Sequence, residues 1–473
     1  MAILAGIPRN AVAQVVLALT PPGPGRPLLL TTTLEPGRSF PALSPTHPVL
    51  WPWEASLRGT CGVTLEGEVP GPWRLPSGWP EGGFAFPRGR LLSDLPRPPE
   101  LESPLPLELV EGPGAFRIPL GPISSWVGES RFFLFEVTGE DIHHLGLQAN
   151  MKMRGVEKRF ENLPLKKALP LAELVSGTSS VAHSLAFVQA AEAVWGLEPP
   201  GGALAARVCL LELERIIVHL SDLGRACQAT GLAVAEAAFR LLEEKGRRTA
   251  QSLTAHRFLR GAVSLGGIAG ELPAAGLTAL TQFLGEVDRE VPRLSQLALS
   301  TYSHRDRLET AGRLTPLWAK ALGARGPVAR ASDQDTDTRR DQPFALYGEL
   351  PFSPALREEG DALARWRVRV SEIATASKLI AAAADHLQAP WSDPRPLADP
   401  LLPLGLGLVE GARGQVAWLV TPDETPGSLG HVRIASPSVP NLLAVSRATP
   451  GNILTDFPII ESSFGLAYAG ISL

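Results

Sequence analysis

The sequence predicts an α+β protein: mainly a helical bundle, with small β-elements at both ends and a small α+β module in front. Three observations predict it. Several long stretches repeat apolar residues at helical spacing. Short alternating stretches flank them, and prolines, glycines and tryptophans crowd the opening segment. The 473 residues are enough for more than one core.

Residues 1–92 carry short apolar runs such as "RPLLLTTTL", punctuated by Pro and Gly, and read as the front module. Residues 93–115, within "SDLPRPPELESPLPLELVEGPG", have linker composition. Residues 116–473 form the main domain. It opens with alternation around Phe132–Val137, a strand pair. In "SSVAHSLAFVQAAEAVWG", Val181, Leu185, Val188 and Trp195 recur at helical spacing and Gly196 ends the helix. "GALAARVCLLELERIIVHLSDLG" is apolar around much of its girth and predicts a buried helix, with Glu212, Arg215, His219 and Asp222 on one side. Further helices follow at "LAVAEAAFRLLEEKGRR", "LTALTQFLGEVDREVPRLSQLAL" and "GDALARWRVRVSEIATASKLIAAAADHL". "GQVAWLVTP" and "GHVRIASP" predict a hairpin.

Composition excludes several classes. The net charge of -4 and 19% charged residues give no basic footprint for nucleic acid. Cys61, Cys209 and Cys227 are widely spaced, which argues against a disulfide framework and against an iron–sulfur cluster held by this chain. They read as small buried apolar residues. No apolar run is long enough to span a membrane, and the N-terminus lacks the basic segment of a signal peptide. No G-x-G-x-x-G joins a strand to a helix, so no nucleotide site is read.

Motifs in order carry a resemblance. They are "GPISSWVGESRFFLFEVTGE", "MRGVEKRFENLPLKKAL", "ELVSGTSSVAHSLAFVQAAEAVWG", "LELERIIVHLSDLG", "GPVARASDQDTDTRRDQPFALY", "EGARG" and "FPIIESSFGLAYAGISL". Together they resemble the large subunit of membrane-bound, energy-converting (group 4) [NiFe] hydrogenases and the related D-type (49-kDa-type) subunit of respiratory complex I. The front module, with Trp51 and Glu54 in place but Glu68-Val69-Pro70 for the G-H-P triplet, is similar to a degenerate C-type (30-kDa-type) domain.

The resemblance implies a nickel–iron centre held by four cysteines, and here it breaks. Those positions are Ser176, Ser179, Ala467 and Gly470. Soft thiolates are what such a centre requires, and a hydroxyl, a methyl and a hydrogen do not replace them. Met153, Gly465, Leu466 and Leu473 depart from the family's motifs as well. No nickel–iron centre is expected in this chain, and no hydrogenase activity of its own. The complex I relatives are known for a quinone headgroup in the vacated cavity, gripped by a histidine and a tyrosine. Here those positions are Gly128 and Gly177. Ser176, Ser179 and Tyr468 then remain as cavity-lining donors. Glu157, Arg413 and His183 are candidates for proton-relay or cavity roles, with Arg154 and His219 beside them. For Glu157, His183 and His219 the bland alternative is structural pairing or a satisfied core side chain. Asp333, Asp335 and Asp337 with Arg339 and Arg340 read as a solvated or subunit-facing loop.

Two classes of function stay open. Either the cavity binds a quinone, fed by an iron–sulfur cluster in a B-type small subunit, or the fold persists as a structural coupling piece. The first needs an open path to Ser176 and Tyr468; the second predicts a cavity plugged by Val175, Phe464 and Leu466. Both imply a complex I-like assembly with antiporter-like and other membrane-arm subunits, no nucleic acid, and a peripheral place on the cytoplasmic side of the membrane. The resemblance also points to NADH–quinone oxidoreductase chemistry, with quinone and NAD binding attached to it, although no nucleotide site is read in this chain.

Overall fold

The computed structural model describes the chain apart from residues 1, 10, 11, 22, 35–38, 55, 56, 58–62, 68–111, 124–128, 149–153, 394 and 398. Cys61, the Glu68-Val69-Pro70 triplet, Gly128, Met153 and most of the 93–115 linker lie outside the described residues.

Strands β1 (Ala2–Arg9), β2 (Val12–Leu19) and β3 (Leu28–Leu34) form an antiparallel sheet in that order. Its place follows from the alternation of β2. Val15 packs with Leu50 and Leu57. Val16 and Ala18, on the other face, pack on Leu419 and on Leu408, Ala417 and Ala435 near the C-terminus. Strand β4 (Ser39–Pro41) pairs in parallel with β5 (Thr64–Glu66). Glu54 is buried in the segment that joins them and accepts from the Ser44 amide at 3.2 Å, which fixes the turn after β4.

The strand pair expected after Phe116 is a three-stranded meander, β6 (Ala115–Leu120), β7 (Phe132–Thr138) and β8 (Asp141–Gln148). Helices α1 (Leu165–Glu173), α2 (Ser180–Trp195), α3 (Gly201–Ala229) and α4 (Ala233–Thr254) follow. A two-strand ribbon, β9 (Val263–Ser264) and β10 (Gly267–Ile268), leads to α5 (Ala274–Ser300). Short helices α6 (Tyr302–Leu308), α7 (Pro316–Ala321), α8 (Gly326–Arg330) and α9 (Thr338–Asp341) precede the long α10 (Ala362–Ala384). The chain closes with β11 (Gly405–Gly411), β12 (Gly414–Pro422), β13 (Leu429–Ala435), α11 (Ser438–Ala448) and α12 (Phe457–Phe464).

Helix α3 is the axis, packed on α4 and α10 as its apolar girth requires. Helix α2 buries fourteen of its 16 residues, so no face is left for solvent and its pattern is apolar nearly all round. It ends at Gly196 in the left-handed conformation, φ 66°, as the sequence predicts. Strand β11 lies directly on α2. A Cβ at Gly405 or Gly407 would overlap the carbonyls of Ala190 and Ala186, so only glycine permits this approach. The predicted hairpin is β12–β13, and β11 extends it to three strands. The rings of Phe133 and Phe135 meet Phe457 edge-on at 5.0 and 4.7 Å, which ties the meander to α12.

Candidate functional site

The site forms where the α1–α2 loop meets the C-terminal tail. Helix α12 stops at Gly465, φ 61°, and a single 3₁₀ turn, Tyr468–Gly470, follows. Arg154 joins tail and loop: its guanidinium donates to the Ser472 carbonyl at 3.0 Å, to the Val175 carbonyl at 2.8 Å and to the Ala469 carbonyl. The Ala467 amide donates to Ser438 Oγ at 2.9 Å. Ser176, Ser179 and Ala467 line one pocket, and Gly470 lies against Ser436 of the same lining.

What converges is a donor-poor hollow. Ser176, Ser179, His183, Ser436 and Ala467 line an inner pocket of about 10 Å³, near the lower limit for one water. A Cβ at Gly470 would run into the Ser436 hydroxyl and lie 3.0 Å from Ser436 Cβ, so Ser436 occupies the place of a fourth ligand. A Cβ at Gly465 would lie 2.7 Å from Asp222 Oδ2 and 2.8 Å from Arg369 Nη2. That ion pair fills the space where the resemblance has an aspartate. Among the described residues no three His, Cys, Asp or Glu side chains come together to hold a metal ion. Hydroxyls and a methyl in so small a space do not fit a nickel–iron centre.

Beside it lies an open cavity of about 770 Å³ that shares Ser176, Arg413 and Ala467 as its wall. Gly177, Thr178, Arg225, Arg240, Ser462, Leu466 and Tyr468 also line this outer cavity. Arg413 spans the two hollows, donating to Asp222 Oδ1 at 3.0 Å and to the Thr178 hydroxyl. Burial pushes the Asp222 carboxyl up, but Arg413 and Arg369 outweigh it and hold it below the usual range. Arg240 pairs with Glu236 at 2.9 Å. Arg225 makes no hydrogen bond or ion pair among the described residues.

The predicted residues separate into groups. Ser176 lines both hollows and Ser179 only the inner one. Tyr468 lines the outer cavity, yet its hydroxyl is engaged: it donates to Glu461 Oε1 at 2.6 Å, and Arg131 holds the same carboxylate at 2.6 Å. Burial, then Glu461, push this phenol well above its ordinary range, so it stays neutral. His183 accepts from Trp418 Nε1 at 3.2 Å through Nδ1. Burial, with Arg154 adding to it, holds this imidazole down at about 3. Glu157 stands apart from both hollows, held by Arg433 and by the Ile434 amide at 2.8 Å. Val175 and Phe464 are buried without filling the outer cavity; the Phe464 ring lies 4.3 Å from the Arg365 guanidinium carbon. Leu466 stands in the cavity wall.

Behind the inner pocket sits a buried ionic cage. Glu212 takes Arg215 at 2.9 Å and Arg339 at 3.1 Å. Glu372 takes Arg330 at 2.7 Å and His219 Nε2 at 2.8 Å. Glu410 takes Arg330 at 2.9 Å, and Asp337 takes Arg339 at 2.7 Å. Burial raises the Glu372 carboxyl, and Arg330 and His219 more than reverse this, leaving it well below its ordinary value. The expected solvated Asp333–Arg340 loop is therefore corrected in part. Asp335 and Arg340 pair near the surface, but Asp337 and Arg339 are core residues, because Arg339 bridges Asp337 to Glu212 on α3. Cys209 and Cys227 are buried, their thiols pushed up to about 12 by burial, as packing residues. Sequence reasoning missed Thr178, Arg225, Asp222's contact with the tail, and Ser436. Ser436 follows a strand with nothing to mark that it backs Gly470.

The fold and its loop-and-tail hollow resemble those expected of a large-subunit-type component of a complex I-related oxidoreductase, and the known proteins that the chain is similar to are of that kind. A family model described as respiratory-chain NADH dehydrogenase, 49 Kd subunit, matches residues 234–399. Formate hydrogenlyase subunit 5 of Escherichia coli (strain K12) is 29% identical over 446 residues, covering 91% of this chain and 76% of that protein. The D subunit of the NADH-quinone oxidoreductase of Helicobacter pylori (strain Shi470) is 29% identical over 374 residues, 73% of this chain and 91% of that protein. Hydrogenase-4 component G of Escherichia coli (strain K12) is 27% identical, covering 91% and 75%. The chain thus resembles both the group 4 hydrogenase large subunits and the complex I D-type subunits. Among the described residues no helix is long and apolar enough to cross a membrane.

Proposed function

We propose that the chain is a D-type, hydrogenase-large-subunit-like component of a membrane-associated complex that couples electron transfer to ion or proton transport. In this reading it has lost the nickel–iron centre and takes a quinone headgroup in the outer cavity. A B-type iron–sulfur subunit sits over the cavity mouth and delivers electrons. Membrane-arm subunits, antiporter-like ones among them, anchor the chain at the cytoplasmic side.

The observation that carries the proposal is the contrast of volumes: about 10 Å³ where the metal would sit and about 770 Å³ beside it. The larger value falls within the roughly 300–1,000 Å³ of small-molecule sites. Its wall supplies donors for quinone oxygens from Ser176 and Arg225, and apolar surface from Leu466 and Ala469. Tyr468 shapes the wall while its hydroxyl remains on Glu461. The purely structural reading requires a filled cavity, so the open volume favours the quinone reading over it.

A photoreactive quinone analogue, applied to the purified complex, tests this. Labelling of the 176–178 loop or the 462–469 tail, competed by excess quinone, is the expected result. Absence of competed labelling on this chain contradicts the quinone reading.

A further inference from the structure

A third hollow, of about 40 Å³, reaches the same loop from another direction. Gly177, Thr178 and Arg413 line both this hollow and the outer cavity, so they form the partition between the two. At its other end stand Arg257, with a side chain 40% exposed, and Phe258, 38% exposed. The passage therefore runs from near the surface to the back of the cavity wall, with room for about two to four waters.

One buried carboxylate on this passage has no ion pair among the described residues. Glu243 is matched by Arg247. Among the described residues Glu214, 7% exposed, accepts only from backbone N–H groups, Val181 at 2.7 Å and Ala182 at 3.1 Å, at the start of α2. On the partition, Thr178 Oγ1 lies 3.5 Å from Ser176 Oγ, which faces the outer cavity.

We propose that Glu214 relays protons from solvent to the outer cavity through Thr178 and Ser176. The relay rests on the quinone reading above. Reduction of the quinone takes two electrons, delivered singly by the reduced iron–sulfur cluster of the partner, and two protons. Each proton leaves the Glu214 carboxyl, crosses pocket water to the Thr178 hydroxyl, passes to Ser176 and forms an O–H bond on a quinone oxygen. The carboxylate left behind regains its proton from water entering past Arg257, so two turns of the relay give one quinol.

The surroundings suit this role. Burial raises the Glu214 carboxyl to about 7; the Val181 and Ala182 amides, and then Arg215 and Arg413, limit the rise. A group near neutrality gives and regains a proton at small cost. The charged groups facing it are Arg215 on its own helix, Arg413 from the β11–β12 turn, Glu243 and Arg247 from α4, and Arg257 beyond α4. Helix α2 gives it the Val181 and Ala182 amides. Glu157, the relay that the resemblance implies, is ion-paired to Arg433 and lines none of the three hollows.

The test is the rate of quinol formation by the reduced complex, measured against pH with a soluble quinone, alongside photolabelling. Glu214→Gln keeps an acceptor for α2 and removes the exchangeable proton. It is expected to slow quinol formation by about 10²-fold and to abolish the pH step near 7, with labelling unchanged. Glu214→Asp is expected to recover part of the rate with a shifted profile. Thr178→Val interrupts the route without touching the carboxyl, and the same loss is expected. Wild-type rate and pH profile in Glu214→Gln, with labelling intact, overturn the relay alone. No competed labelling in the wild type overturns the quinone reading, and the relay with it.

Discussion

The inner pocket and the outer cavity share Ser176, Arg413 and Ala467, yet one encloses about 10 Å³ and the other about 770 Å³. The shared wall does not account for the difference; what stands behind it does. Ser436, in the inner wall, backs Gly470, and the Asp222–Arg369 pair backs Gly465 in the outer wall, so residues far away in sequence stand behind both positions. The outer cavity is bounded by Arg240 and Arg413, whose carboxylate partners Glu236 and Asp222 lie outside its lining. A metal site is erased by small changes in donor type, whereas the frame around it persists as long as its buried charges remain matched.

Breaking the shared wall gives the largest expected effect. Arg413→Ala leaves Asp222 buried beside Arg369 without its 3.0 Å partner and opens one hollow into the other. Loss of about 3–5 kcal/mol in urea unfolding is expected. A loss below about 1 kcal/mol would mean that the two hollows are not held apart by this ion pair.

Acid sharpens the comparison next, because His183 belongs to the inner pocket alone. Its folded value, about 3, lies below the ordinary 6.5, so the unfolded chain binds the proton first. Its contribution is full above pH 6.5 and is lost as pH falls from 6.5 towards 3. His304, held down at about 4 by burial, adds in the same direction. The unfolding free energy should fall as pH drops through this window, with a slope of at most about 1.36 kcal/mol per pH unit for each group. His183→Gln should remove part of that slope.

Restoring a ligand position tests the filling of the inner pocket. Gly470→Cys should cost about 1–3 kcal/mol by overpacking, and Ser436→Gly in the same chain should recover most of it. Equal stability of the single variant and the wild type would show that Ser436 does not block the position. The smallest effect belongs to the outer cavity. Tyr468→Phe removes the 2.6 Å hydrogen bond to Glu461, costs about 1–2 kcal/mol, and leaves quinone labelling in place.

Much of the frame was legible in the sequence. Helical periodicity placed α2 through α5 and α10, Gly196 placed the end of α2, and the motifs pointed to Ser176, Ser179 and Ala467, which share one pocket, and to Gly470 against Ser436. What was not legible depends on long-range packing. Nothing local marks Ser436 as the residue behind Gly470, or Arg339 as the bridge from Asp337 to Glu212, since each follows from contacts across tens or hundreds of positions. Strand β11 was missed because its glycines, which allow it to lie on α2, read locally as turn residues. Glu214 was passed over because its partners, two backbone amides, have no side-chain signature.

The central claim is that this chain keeps the frame of a nickel–iron site without its grip. Metal analysis of the purified complex, with infrared spectra of the same sample, tests it most directly. The account predicts no nickel on this chain and no bands from iron-bound carbonyl or cyanide. One nickel per chain, together with such bands, would contradict it.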